Sequence, residues 1–218
     1  MSQYQLIVFD WDGTLMNSLS RIADCMQAAA RDLALTPATD QQVHDVVGLA
    51  LDIAIQRLHP QLDVHQVAQM RERYSHHYVV AESTPSPFYG GIPEMLDSLS
   101  AKGTLLSVAT GKSRKGLSRV FAAHGVDSLF HSSRCADETR SKPEPDMLLE
   151  ILAMHGLNPQ QAVMVGDTEF DLEMARRAGV DSVGVTWGAH DITRLQRHHP
   201  KVCVDSVESL SNWLHQAV

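Results

Sequence analysis

The chain has 218 residues, a formal net charge of −8 and a hydrophobic fraction of 44%. Its length allows one globular domain or a core with a smaller insert. The acidic balance disfavours nucleic acid as a partner, and no apolar run approaches membrane-spanning length. The first residues do not resemble a secretion signal, and Cys25, Cys135 and Cys203 show neither disulfide nor metal-type spacing. We therefore predict a cytoplasmic protein that does not bind membranes.

Short apolar runs predict a set of buried strands, because each run is continuous rather than alternating. In chain order these runs cover 6–9, 105–109, 162–165 and 182–185, with a weaker fifth candidate at 202–204. Segments with a helical period and good end signals lie between them, at 93–102, 113–125, 146–156 and 170–179. This alternation predicts an α/β fold with a doubly wound parallel sheet and right-handed crossovers.

The stretch from Met16 to Thr84 breaks this alternation, since it has helical patterns and no convincing strand. Ser18 and Asp40 are candidate caps of two of its helices, and residues 83–87 form a predicted hinge or linker. The helical patterns rest on two sets of residues: Ile22, Met26, Ala29, Ala30 and Leu33, and less clearly Val64, Val67, Met70 and Tyr74. We therefore predict an α/β core at 1–15 and 86–218 and an inserted all-helical domain at 16–85. Such an insert would lie over the carboxyl end of the first strand, where ligands bind in open α/β sheets.

Polar and reactive residues recur where the predicted strands end. Asp10-Trp11-Asp12-Gly13-Thr14 follows the first strand, Thr110-Gly111-Lys112-Ser113 follows the second, and Gly166-Asp167-Thr168-Glu169-Phe170-Asp171 follows the third. Separately, Ser141-Lys142-Pro143-Glu144-Pro145 precedes a helix. A single acidic residue after a strand is common, but all four motifs in this order are hard to obtain by chance.

With these motifs the sequence resembles the haloacid dehalogenase-like hydrolase superfamily, in particular its phosphoglycolate-phosphatase-like branch. The motifs span almost the whole chain, and the helical insert is similar to the cap domain of that branch. The resemblance implies a Rossmann-like core and a magnesium-dependent phosphatase acting on a small-molecule phosphate monoester, with phosphoglycolate as the first guess. Pyrophosphate, nucleoside monophosphates and sugar phosphates remain alternatives.

The residue chemistry agrees with that resemblance. The Asp10 carboxylate is ionised at neutral pH and needs no base in order to attack phosphorus through an aspartyl-phosphate. Because an anion must approach an anionic phosphate, a hard cation such as Mg²⁺ is expected, bound by oxygen ligands. Asp10 and Asp167 are the expected side-chain ligands, and the resemblance implies the backbone carbonyl of Asp12 as a third. Asp171 is expected to support the site rather than to bind the metal directly.

The remaining catalytic roles fall on residues near the nucleophile. The leaving oxygen needs a proton and the second half-reaction needs an activated water, and Asp12 is placed to serve both as general acid and base. Gly13 lets the backbone turn tightly after the strand. Thr110 and the N–H group of Gly111 can hold phosphate oxygens, and Lys142 supplies a positive charge for the nucleophile and the transferring group.

Two rival functions stay open at this point. An acid at position 12 disfavours the dehalogenase branch, since a halide leaving group needs no proton, but a phosphomutase similar to β-phosphoglucomutase keeps the same residues. A non-catalytic phosphate-binding module would be expected to lack one of them. The expected partner is a small-molecule phosphate ester, and the sequence is consistent with a monomer or a homodimer.

Other polar and aromatic residues receive structural interpretations. The 12 histidines show no zinc spacing, and Trp11 is predicted to pack or to contact the helical insert. Arg57 and Val47-Gly48-Leu49 are candidates for substrate selection within the insert. A small basic patch is predicted to be an exposed helix face; it comprises Lys112, Arg114, Lys115 and Arg119.

Overall fold

The structure is a computed structural model that describes residues 4–81 and 83–218. The strands are β1 (Leu6–Phe9), β2 (Leu105–Thr110), β3 (Ser132–Cys135), β4 (Ala162–Gly166), β5 (Asp181–Val185) and β6 (Val202–Val204). The helices are α1 (Leu19–Asp32), α2 (Asp40–His44), α3 (Leu51–Leu58), α4 (Val64–Ala81), α5 (Ile92–Ala101), α6 (Arg114–His124), α7 (Asp146–His155), α8 (Glu169–Ala178), α9 (Ile192–Gln196) and α10 (Val207–Ala217). Within the described ranges, no helix combines the length and hydropathy needed to cross a membrane.

The six strands form one parallel sheet in the order β3-β2-β1-β4-β5-β6. This confirms the predicted α/β fold. In the register, Phe9 pairs with Val108 on one side and with Val165 on the other. The strand order therefore runs outwards from β1 on both sides, through β2 and β3 on one side and through β4, β5 and β6 on the other. Ligands in open α/β sheets bind at such a switch point, next to the carboxyl ends of the strands.

Side chains of the central strands alternate between two apolar layers. Ile7 and Phe9 face one layer, which is covered by α5, α6 and α10. Leu6 and Val8 face the other, which is covered by α7 and α8. Because both faces of the sheet are covered, the central strands β1 and β4 are buried throughout, and this explains their continuous apolar sequences.

One strand of the sheet was not predicted. β3 reads Ser-Ser-Arg-Cys, and of its residues only Cys135 is buried. It pairs with β2 at the edge of the sheet, where the Ser107 and Ser132 hydroxyls are 2.8 Å apart. An edge strand needs little apolar surface, so its sequence carries no hydrophobic signal.

Helices α1 to α4 pack around an apolar cluster of their own, separate from the layers on the sheet. Ile22 and Met26 of α1 and Met70 of α4 are buried in this cluster as predicted, whereas Val64 at the start of α4 is 76% exposed and was wrongly placed in it. The predicted cap of α2 is also wrong. Thr39 lies one residue before Asp40, and its hydroxyl accepts a hydrogen bond from the backbone N–H of Gln42. The Gln42 side chain accepts in turn from the backbone N–H of Thr39, which completes a capping box.

Two segments connect this helical unit to the sheet, and they run side by side. Met16 forms an antiparallel bridge with Phe88. The Asn17 N–H donates to the Pro87 carbonyl and the Tyr89 N–H donates to the Leu15 carbonyl. The helical unit therefore leaves and rejoins the sheet at one place.

Candidate active site

Asp10 follows β1 at the centre of the sheet, and a tight turn follows it. Asp10 is 1% exposed. Gly13 has φ of +86°, and a Cβ atom there would lie 2.3 Å from an Asp167 carboxylate oxygen. Only glycine meets both conditions without strain. The turn therefore brings the chain after β1 directly against the residue that follows β4.

Lys142 lies between two carboxylates. Its Nζ is 2.5 Å from Asp10 Oδ1 and 2.6 Å from Asp171 Oδ1, and all three side chains are almost completely buried. Burial lowers the pKa of Lys142, but the two carboxylates outweigh it and hold the pKa above the usual lysine value. The second Asp171 oxygen accepts from the backbone N–H and the hydroxyl of Thr168. Asp171 thus orients the lysine that contacts the expected nucleophile.

Asp167 is fully buried and is fixed by donors on both of its oxygens. Oδ1 accepts from the Thr14 hydroxyl at 2.7 Å, and Oδ2 accepts from the Ala189 N–H at 2.7 Å. Burial, reinforced by the neighbouring Asp171 charge, raises the pKa of Asp167 to about 7. Gly188 permits the close approach, because a Cβ atom there would lie 2.2 Å from Asp167 Cβ.

The three aspartates form an acidic cluster that fits a divalent cation. Asp10, Asp167 and Asp171 each offer a carboxylate oxygen within 4.8 Å of the others. Asp10 Oδ2 is buried and has no hydrogen-bond partner among the described residues. Burial raises the pKa of Asp10 well above its usual range, although Lys142 lowers it. The single Lys142 ammonium thus lies among three buried carboxylates, which leaves an excess of negative charge. Carboxylate oxygens with such an excess are suitable ligands for Mg²⁺.

Asp12 points to a different set of partners. Its Oδ1 accepts from the Ser18 hydroxyl at 2.6 Å, and its Oδ2 is 3.0 Å from Lys112 Nζ. The Lys112 ammonium also donates to the Tyr78 hydroxyl and lies 4.6 Å from the Tyr78 ring centre. Lys112 is therefore mostly buried, and its predicted place on an exposed helix face is wrong. Ser18 directly precedes α1, but its hydroxyl serves Asp12 instead of capping that helix.

Thr110 ends β2, the strand that pairs with β1, and Gly111 follows it. Thr110 is 1% exposed, and its hydroxyl accepts from the Lys112 N–H at 3.2 Å. A Cβ atom on Gly111 would lie 2.7 Å from the carbonyl oxygens of Gly48 and Leu49. The loop between α2 and α3 thus rests directly on the loop after β2.

An open cavity of about 480 Å³ lies between the helical unit and the sheet, with Asp10, Asp12, Thr110 and Gly111 in its lining. Further polar contacts join its two sides. Arg194 lies 2.5 Å from both Asp45 in the helical unit and Glu169 at the start of α8. The Ala50 N–H donates to the Ser141 hydroxyl at 2.8 Å.

The structure brings together the predicted site residues and adds several that the sequence analysis passed over. Thr14 belongs to the first motif but received no role, and Ser18 was considered only as a helix cap. The paired positions of Lys112 and Arg194 could not be predicted from the sequence, because a charged side chain is expected to lie in solvent unless its partner is known. Their partners are up to 149 residues away in the chain.

Trp11, Arg57 and the segment Val47-Gly48-Leu49 lie in different surroundings, and of these the segment 47–49 lines the cavity. Trp11 is buried against Phe88, Phe121 and Phe130, which confirms its predicted packing role. Arg57 lies over the Phe170 ring, with its guanidinium carbon 5.3 Å from the ring centre, on an exposed part of α3. Arg57 therefore links the helical unit to α8.

Comparison with known proteins agrees with this geometry. Residues 7–185 match the family model of haloacid dehalogenase-like hydrolases. The phosphoglycolate phosphatase of Mannheimia succiniciproducens is 32% identical over 208 residues, covering 91% of this chain and 93% of that protein. The "Probable phosphatase IndB" of Dickeya dadantii is 32% identical over 214 residues, covering 96% and 93%.

A solved structure gives the same result for the fold. The crystal structure of a predicted phosphoglycolate phosphatase from Haemophilus somnus superposes with a TM-score of 0.87 at 28% identity, covering 98% of this chain and 99% of that one. The chain therefore belongs to the haloacid dehalogenase-like hydrolase family. It is an enzyme, and the resemblance derived from its motifs is confirmed.

Proposed function

We propose that this hydrolase is a Mg²⁺-dependent phosphatase that cleaves a small phosphate monoester through an aspartyl-phosphate on Asp10. The observation that carries the proposal is the buried Asp10, which contacts Lys142 through one oxygen while the other has no partner among the described residues. The relatives named as phosphatases support it. A carboxylate held in this way can present its second oxygen to a cation or a phosphorus atom.

In the first half-reaction, an Asp10 oxygen forms a bond to phosphorus and the bond from phosphorus to the ester oxygen breaks. Asp12 gives a proton to the departing oxygen. In the second half-reaction, Asp12 takes a proton from water, the water oxygen bonds to phosphorus, and the bond to Asp10 breaks. Ser18 and Lys112 hold Asp12 at the cavity for both steps.

The proposed Mg²⁺ ligands are the side chains of Asp10 and Asp167 and the backbone carbonyl of Asp12. When bound, the cation neutralises charge on the nucleophile and on the phosphoryl oxygens. Thr14 and Ala189 orient Asp167 for this role, and Asp171 supports the site through Lys142. Thr110 and Gly111 are proposed to hold the phosphoryl oxygens, because both line the cavity next to Asp10.

We also propose that residues 16–85 act as a cap over a core formed by 1–15 and 86–218. The separate apolar cluster of α1 to α4 and the paired connections at Met16 and Phe88 support this division. In the observed position the loop of the cap lies against Gly111, and we propose that this contact limits the access of bulk water to the phosphoryl group.

The test is Asp10→Asn, assayed with p-nitrophenyl phosphate and Mg²⁺. Loss of the nucleophile is expected to lower kcat by about 10⁴-fold or more. Electrospray mass spectrometry of the unaltered enzyme, quenched in acid during turnover, is expected to show a phosphorylated species that the variant lacks. Activity that survives the substitution would show the mechanism to be wrong.

A further inference from the structure

The cavity between cap and core has two walls of opposite character. The core wall carries the reactive groups, with Asp10, Asp12 and Thr110 at its base. The proposed phosphatase reaction places the phosphoryl group on this wall. The organic part of the substrate must then extend towards the cap, so the cap wall determines which leaving group is accepted.

The cap wall is predominantly apolar. Its lining includes Ile22, Met26, Val43, Val47, Leu51 and Tyr74. Several of these side chains also belong to the apolar cluster of the cap and are therefore held in place by packing. Tyr74 and Tyr78 lie with their ring centres 5.6 Å apart and offer aromatic surface to the same space.

The charged side chains of the cap wall are already paired. Among the described residues that line the cavity, the cap contributes Arg71 and Asp52, which form an ion pair at 2.7 Å with each other. Lys112 on the core side is paired with Asp12 at 3.0 Å. The other two basic residues of the lining, Lys115 and Arg119, lie on α6 of the core. A second anion that the substrate directed towards the cap wall would therefore lie against apolar surface or beside a cation that already has a partner, and burying an unpaired charge there is costly.

The size of the cavity leads to the same conclusion. About 480 Å³ falls within the range of about 300–1,000 Å³ that accommodates drug-sized ligands. A two-carbon acid such as glycolate would leave most of the apolar wall without contact. A bulky hydrocarbon or aromatic group would instead cover the large apolar side chains of that wall that still have exposed surface, namely Leu51, Tyr74 and Val79.

We propose that the preferred substrate is a phosphate monoester of an uncharged, apolar or aromatic alcohol, and that the cap wall of α1, α2, α3 and α4 is its binding surface. This inference rests on the proposed phosphatase function and specifies its substrate class. Phosphoglycolate, the substrate in the names of several relatives, is then expected to be a poor substrate of this chain.

The experiment compares kcat/KM for 2-phenylethyl phosphate, ethyl phosphate and phosphoglycolate, with Mg²⁺ present. All three are esters of primary alkyl alcohols, so the comparison separates the contacts of the leaving group from its reactivity. We expect kcat/KM for 2-phenylethyl phosphate to exceed each of the others by at least about tenfold, the effect of a small apolar group in a fitted pocket. A preference for phosphoglycolate would overturn the inference and leave the phosphatase function intact. No release of phosphate from any ester, p-nitrophenyl phosphate included, would overturn the proposed function itself.

A pair of variants locates the effect on the cap wall. Val79 lines the cavity and is 47% exposed, whereas its neighbour Val80 is 61% exposed and is not in that lining, so neither substitution buries a charge. Val79→Lys adds a cation at the cavity and is expected to raise the ratio of phosphoglycolate to 2-phenylethyl phosphate turnover about twofold to fivefold, as for a solvent-accessible ion pair. Val80→Lys is expected to leave the ratio unchanged. Equal ratios in both variants, or a shift in Val80→Lys alone, would contradict the assignment of this wall.

Discussion

The two sides of the cavity are built on different physical principles. On the core side, buried charges hold one another: Lys142 contacts two carboxylates, and Asp167 accepts from two donors. On the cap side, apolar packing dominates, and the polar groups that contact the core include the hydroxyls of Ser18 and Tyr78 and the carbonyl groups of Gly48 and Leu49. In the proposed mechanism the reaction therefore depends on a network in which each charged group needs its partners. The proposed choice of substrate depends on an apolar surface whose side chains can be replaced one at a time.

The largest effect is expected from breaking the charge network at Lys142. Lys142→Met leaves Asp10 and Asp171 buried side by side without an ammonium group. We expect the free energy of unfolding, measured by urea denaturation at neutral pH without metal, to fall by about 3–5 kcal/mol. Phosphatase activity should be lost as well.

Lys201→Met is the matched control for that variant. Lys201 pairs with Asp181 at 3.2 Å, but its side chain is 48% exposed. The loss in unfolding free energy should stay below about 1 kcal/mol. Equal stability of the two variants would mean that the buried network contributes no more than a surface pair.

The next effect concerns the contact between cap and core. Gly111→Ala places a methyl group against the Gly48 and Leu49 carbonyls, so the cap has to move away from the loop after β2. We expect kcat/KM to fall by about 10²-fold, as for a misplacement of about 1 Å at a reacting centre, with little change in thermal stability. Gly90→Ala is the control, since a Cβ atom there meets nothing within 4 Å. Full activity in Gly111→Ala would show that this close contact is not needed for turnover.

The acidic cluster predicts a pH dependence in the metal-free protein. The pKa of Asp167 is about 7 in the folded chain, whereas an unfolded aspartate has a pKa of about 3.9. The folded state therefore binds the additional proton. The stability that this proton contributes is fully present below about pH 4 and is lost as the pH rises through about 7.

Mg²⁺ should act in the opposite direction, because it binds ionised carboxylates. We expect the rise in Tm on adding Mg²⁺ to be larger at pH 8 than at pH 5, by about 5 °C. Differential scanning calorimetry at both values checks this, and Asp167→Asn should remove most of the difference. A Mg²⁺ effect that is independent of pH would argue against binding at this cluster.

The smallest effect is expected at the rim of the cap. Arg194→Gln removes the two ion pairs that join Asp45 to the region of Glu169. Because the Arg194 side chain is 21% exposed, we expect kcat/KM to fall no more than about fivefold. The salt dependence of kcat/KM should become weaker than in the unaltered enzyme. Arg176→Gln, which breaks a pair within α8 on the core surface, should change neither value.

The core was largely predictable from sequence, because apolar packing and helix ends leave local patterns in the sequence. Strands buried on both faces are continuously apolar, and Gly125, Gly156 and Gly179 end three helices in the left-handed conformation that favours glycine. The polar edge strand β3 lacks such a signal. Asp10, Asp12 and Asp167 were found because their positions after strands implied proximity.

The pairing of charges was harder to predict. Lys112 and Arg194 are ordinary cations in the sequence, and only the fold brings them to Asp12 and to Asp45. The character of the cap wall was equally hidden, because Ile22, Met26 and Val43 have the pattern of helices that face a core. That the same side chains also face a cavity follows only from the way the cap sits on the sheet.

The bridge between Met16 and Phe88 has a consequence for how this enzyme can change. The two connections of the cap meet at one point, so a segment of different length or sequence can replace the cap without altering the register of any strand. The reactive aspartates and the lysine all lie outside that segment. A cap transplanted between relatives should therefore carry its substrate preference with it, provided that the contacts of Ser18 with Asp12 and of Tyr78 with Lys112 are kept.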